Sequence, residues 1–159
     1  MLPQFSSGTR TTFLAALGFT DASDFTSQTN HTCIKQVDAT GAPMLENTGK
    51  KLFASNQIIP YSISVFVAQS NGIQTDDHGF TKLGRINDLV PLQAGPSATI
   101  TRDVYNVVPK SQIGAGTETN TVFVGSGSLV CTNTDVIKRF GFQPKTDSPG
   151  CGSTTIQTP

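Results

Sequence analysis

"TITRDVYNVVP", residues 99–109, is the stretch on which the fold class turns. Ile100, Val104, Tyr105, Val107 and Val108 are β-branched or aromatic, the residue types that suit a pleated, half-buried backbone, and Pro109 stops the run. It reads as the clearest strand in the chain. Upstream, Ile58 and Ile59 begin a second strand-like run, while "CIKQV", residues 33–37, fits a strand or a helix fragment equally. Helical patterns lie between them. Over residues 8–17, Phe13, Leu14 and Leu17 share one face, and Gly18 stands where a left-handed residue closes a helix. "LENTGKKLFAS", residues 45–55, reads as a short helix that begins near Asn47 or Thr48. Pro60 can open another, with Ile63, Phe66 and Val67 at helical spacing and Asn71-Gly72 at its end. After the strand, a short helix is expected around "NTVFVGSG", residues 120–127. "TNTDVIKRFGF", residues 132–142, reads as a capped helix with Val136, Ile137 and Phe140 inward and Gly141 at its end. Residues 21–32 and 72–98 read as loop. Helices alternating with isolated strands predict an α/β fold with a mixed or parallel sheet.

The chain has 159 residues, enough for one domain with a core or for one large piece of a two-lobed protein. Eleven basic and eleven acidic side chains cancel, and no Lys/Arg-rich run occurs, which argues against a nucleic-acid partner. Only 14% of residues are charged, and the surplus of Ser, Thr, Asn, Gln and Gly is common in secreted and cell-envelope proteins. No run of eighteen apolar residues could span a membrane. Met1 is followed by Leu-Pro-Gln without the basic and apolar regions of a leader, so an exported protein would have lost its start here. The three cysteines hold no Cys-x-x-Cys pair and so no zinc pattern. Cys131 and Cys151 enclose a loop with two prolines and two glycines, where a disulfide would staple a weakly structured tail; two free thiols are the other reading. Cys33 is then the odd one.

Motifs for catalysis are thin. Ser7, Asp77 and His78 make a triad on paper only, since adjacent residues cannot take the base and orienting roles, and Gly-x-Ser-x-Gly is absent. "GSGS", residues 125–128, lacks the Lys and spacing of a phosphate loop and reads as turn punctuation. Asp76 and Asp77 could form a metal corner, although a solvated loop is the commoner use of such a pair. Asn30-His31-Thr32 matches a glycosylation sequon. The expectation is a protein that is not an enzyme and needs no cofactor.

"QFSSGTRTTFLAALG", residues 4–18, admits two readings of its hydroxyl-rich start. Ser6 or Ser7 can be an N-cap, accepting a bond from an orphan backbone N–H. A helix N-terminus with free N–H groups, flanking hydroxyls and an Arg can also take an anion.

Four landmarks in order, "PQFSSGTRTTFLAALG", "ENTGKKLFASNQIIPYSISVFVAQSNG", "RDVYNVVPKSQI" and "IKRFGF", resemble the carboxy-terminal part of the phosphate-type solute-binding proteins of ABC transporters. The likeness runs over roughly residues 3–143. It implies a type 2 periplasmic-binding-protein fold, incomplete here because the family's amino-terminal half is missing. Residues 1–90 would be part of the second lobe, residues 91–143 a return segment to the first, and residues 144–159 a tail. Ser7, Gly8 and Thr9 match the family's Ser-Gly-Thr ligand loop, with Ser6 and Arg10 as further candidates and Asn47 in support of the loop. The implied function is capture of an inorganic oxyanion, phosphate first, by an exported periplasmic or cell-surface receptor that serves a membrane permease. The family has Arg and Asp before the loop, where Pro3 and Phe5 stand here. That departure favours the alternative, a cell-surface interaction or scaffold module with no ligand site.

Overall fold

The computed structural model describes residues 1–22, 25, 31–90 and 100–155. The chain divides into two compact units, Met1–Thr101 and Arg102–Pro159.

In the first unit, α1 (Gly8–Ala16) begins at Ser7, whose hydroxyl accepts from the Arg10 N–H. It ends as the sequence pattern predicts: Gly18 adopts φ 79°, its N–H donates to Ala15 O, and the Phe19 N–H reaches back to Leu14 O. This is the paired closure that a left-handed glycine permits. Leu14 is buried with Leu2 and Phe25, and Phe13 and Ile34 pack against them, while Leu17 stays exposed. Each fully buried side chain of this size contributes about 1.5–3 kcal/mol, so this small cluster is the unit's main apolar anchor. The amino terminus is clipped to residues 35–44 through Leu2 N–H to Lys35 O and Gln4 N–H to Met44 O. The second helix, α2 (Ile63–Ser70), follows Ser62 as its cap residue and ends at Asn71, with Gly72 at φ 68°.

Among its described residues the second unit holds a 3-10 turn (Lys110–Gln112) and three short helices, α3 (Glu118–Phe123), α4 (Leu129–Thr132) and α5 (Thr134–Arg139). Thr117 and Ser128 cap α3 and α4 with their hydroxyls. Gly141, at φ 75°, follows α5. Cys131 and Cys151 are joined in a disulfide across 20 residues, with Cα atoms 5.8 Å apart.

The α/β expectation is overturned, and with it the sheet of a type 2 periplasmic-binding-protein fold. Among the described residues there is no sheet, only two isolated bridges, Val37 with Pro43 and Ile86 with Leu89. Residues 101–109 belong to no strand. Their β-branched side chains favour a strand, but a strand needs a ladder partner, and none of the described residues supplies one. Residues 45–55 are turns instead of a helix, because the N–H groups of Gly49 and Lys50 both donate to Asp77 O and hold the backbone in a non-helical path.

Candidate functional site

The mouth of α1 brings the predicted candidates together. Ser6, exposed, takes φ 71°, a left-handed conformation uncommon for a residue with a side chain. It turns the chain so that Ser7 is buried and extended at φ −71°, ψ 126°, the geometry of an N-cap. Gly8 is exposed and Thr9 half-buried. The N–H groups of Gly8 and Thr9 have no hydrogen-bond partner among the described residues, as expected for the first positions of a helix. The Ser7 hydroxyl is spent on the cap.

The Arg10 charge is committed inside the fold. Its side chain is fully buried. Nε donates to Asp21 Oδ1 at 2.7 Å, Nη1 to Pro3 O at 3.1 Å and Gln36 Oε1 at 2.7 Å, and Nη2 to Ala22 O at 2.7 Å. Asp21 Oδ2 also accepts from the Thr11 hydroxyl at 3.0 Å. The guanidinium lies 5.6 Å from the Phe5 ring centroid, close enough for a cation–π contact. One fork thereby joins the amino-terminal segment, α1, the segment after it and Gln36. Asp21 and Gln36 carried no motif, and only the tertiary contact reveals them as partners of Arg10.

Asn47 is exposed and makes no hydrogen bond to residues 6–10. Its carbonyl instead accepts from Gln69 Nε2 at 2.9 Å, and Gln69 Oε1 accepts from the Tyr61 hydroxyl at 2.8 Å. Burial, the largest influence, pushes the Tyr61 phenol up to about 12, with Asp77 and Asp76 adding in the same direction and the bond to Gln69 opposing.

The residues of the paper triad separate. His78 Nδ1 lies 2.5 Å from Asp76 Oδ1, yet this nitrogen is buried without a well-directed hydrogen bond. Asp77 pairs with Lys50 Nζ at 3.0 Å instead. Ser7 is engaged at α1. Among the described residues no group of three or more His, Cys, Asp or Glu side chains could hold a metal ion. Asn30 of the sequon lies outside the described residues.

The α1 mouth can therefore offer two backbone N–H donors, the Thr9 hydroxyl and the helix's partial positive charge. It offers no unpaired cation. Comparison with protein-family models, with curated proteins and with solved structures gives no match for this chain.

Proposed function

We propose that this chain is a non-enzymatic binding protein that takes an inorganic oxyanion, phosphate first, at residues 7–9, as part of an exported solute receptor serving an ABC permease. The supporting observation is that the Gly8 and Thr9 N–H groups, at an open helix mouth, have no partner among the described residues. The sequence resemblance supplies the receptor context. The disulfide between Cys131 and Cys151 supports an oxidising location outside the cytosol.

Magnitudes bound the affinity. Hydrogen bonds to a charged group contribute about 1.5–3 kcal/mol each, and the helix end adds about 0.3–1 kcal/mol. With Arg10 already neutralised by Asp21, two such bonds and the dipole support a Kd near the millimolar range, about 4 kcal/mol.

The test is an NMR titration of the full chain with phosphate, sulfate and chloride, wild type beside Gly8→Pro. Proline at the first helical position removes one donor, and its φ suits a helix start. The extended Ser7 before it is the conformation that proline requires. Saturable phosphate shifts at Gly8 and Thr9, weakened several-fold in the variant, are the expected result. A flat titration in folded protein rejects the anion site.

The second reading is an interaction or scaffold module without a ligand. The commitment of Arg10 to Asp21, Gln36 and two carbonyls favours it, because the charge that would hold an anion is consumed in the fold. The flat titration is its expected outcome.

A further inference from the structure

The second unit, Arg102–Pro159, is built without an apolar core. Among its described residues only Ser128 and Gly141 are buried, while Leu129, Val136, Phe140 and Phe142 stay exposed. Chain entropy is ordinarily offset by apolar area removed from water, and here that contribution is small. Local helix stability cannot replace it. Helices α3 and α5 have six residues each and α4 has four, against the roughly 12–15 below which an isolated helix is marginal in water. Their hydroxyl caps, Thr117 and Ser128, secure single turns.

Closure over distance comes from the loop that carries the disulfide. Cys131, in α4, is bonded to Cys151, 20 residues along the chain, and all of α5 lies between them. Next to the bridge, the Gly125 N–H donates to Gly152 O at 2.8 Å, and the two backbones meet so closely that a side chain on Gly152 would collide with Gly125. Lys145 Nζ reaches Asp103 at 3.0 Å and Asp147 at 2.9 Å, but ion pairs open to water contribute little. Small units with too little core depend on covalent staples of this kind.

We propose that the Cys131–Cys151 bond is a redox switch for the second unit: reduction by a small dithiol melts α4 and α5, while the first unit keeps its structure. Both cysteines are half-buried, so a small reductant reaches them. One thiolate of the dithiol attacks a bridge sulfur and breaks the S–S bond, and its second thiolate then resolves the mixed disulfide. The dithiol leaves as a cyclic disulfide, and its two protons end on the Cys131 and Cys151 thiols. Opening the loop returns conformational freedom to the denatured chain, and the second unit has no buried apolar side chain among its described residues to offset it. The first unit is spared because its anchors, the cluster of Leu2, Leu14 and Phe25 and the Arg10 fork, include no residue of the bridged loop. Reoxidation reverses the change.

The experiment uses the full chain with Cys33→Ser, which removes the exposed free thiol as an exchange partner. Amide NMR spectra are recorded oxidised, after dithiothreitol and after reoxidation, beside the double variant Cys131→Ser/Cys151→Ser without reductant. Alkylation of both thiols verifies reduction, and trypsin cleavage after Lys138, in α5, is timed in each state. The expected result is collapse of the α4 and α5 signals to unfolded positions on reduction and in the double variant, with cleavage at least about tenfold faster. The α1 signals stay in place, and reoxidation restores the starting spectrum. A bridge that stays oxidised in dithiothreitol overturns the proposal, as do dispersed α4 and α5 signals in the reduced chain. Simultaneous collapse of α1 overturns it too, because the bridge would then support the whole chain instead of switching one unit. Collapse confined to the double variant has the same consequence, since the serines and not the lost bond would be responsible.

Discussion

Arg10 Nε and Asp21 Oδ1 meet at 2.7 Å with the guanidinium fully buried and the carboxylate 9% exposed. A buried pair contributes little over an apolar core, but removing one partner strands the other charge away from water, at a cost of about 3–5 kcal/mol. Asp21→Ala should lower the stability of the first unit by that amount in urea unfolding. Arg10→Lys should also be poorly tolerated, since an ammonium cannot reproduce the fork that reaches Asp21, Gln36, Pro3 and Ala22. A loss below about 1 kcal/mol for Asp21→Ala, the range of exposed pairs, would refute the burial argument.

Ser7 caps α1 through its hydroxyl, so Ser7→Ala should cost about 1 kcal/mol and Ser7→Asp should restore most of it. The two substitutions separate capping from ligand binding. Aspartate keeps the cap but sets a negative charge beside Gly8 and Thr9, so phosphate shifts at those residues should vanish in Ser7→Asp while its melting temperature stays near wild type. Equal losses of stability in both variants would show that the hydroxyl does more than cap.

The Asp38 carboxylate is held down from an ordinary value of 3.8 to about 2, chiefly by the Thr40 hydroxyl, then by the N–H groups of Ala42 and Thr40 and by Lys51, against the opposing effect of burial. A depressed folded-state pKa means that the unfolded chain takes up the proton first. The contribution is thus complete above the unfolded value near 4 and disappears as pH falls through about 2. In the wild type, stability should decline between these limits, and Asp38→Asn should flatten that part of the curve. A pH profile of the unfolding midpoint that is identical in the two proteins would contradict this.

At Gly49, residues 78 and 81 press closely on the backbone. A methyl group there would come within 2.3 Å of His78 O and 2.5 Å of the Thr81 side chain, and a backbone oxygen cannot turn aside as a flexible side chain can. Gly49→Ala should cost about 1–3 kcal/mol through overpacking and speed amide exchange at Gly49 and Lys50, which donate to Asp77 O. Gly84→Ala, facing open space, is the control and should change stability by less than about 0.5 kcal/mol.

Local features were legible in the sequence because their causes are local. Ser7 and Gly18 bracket α1, and Gly72 and Gly141 follow α2 and α5, since caps and left-handed glycines act within one turn of the backbone. Residues 45–55 misled because the bonds from Gly49 and Lys50 to Asp77 come from far along the chain. Residues 102–108 misled in another way: their β-branched content predicted an extended backbone, but pairing depends on a second strand that propensity cannot provide.

By itself, the sequence determined the absence of net charge, the Ser7 start of α1 and the helix closures at Gly18, Gly72 and Gly141, all set by side-chain chemistry and short-range backbone sterics. The tertiary structure alone decided that Arg10 is a buried cross-link to Asp21 and Gln36 rather than a free cation at the α1 mouth, and that the described residues form no sheet. Both depend on which distant groups meet, because a guanidinium takes whichever acceptors the fold presents and a ladder forms only where two strands arrive together.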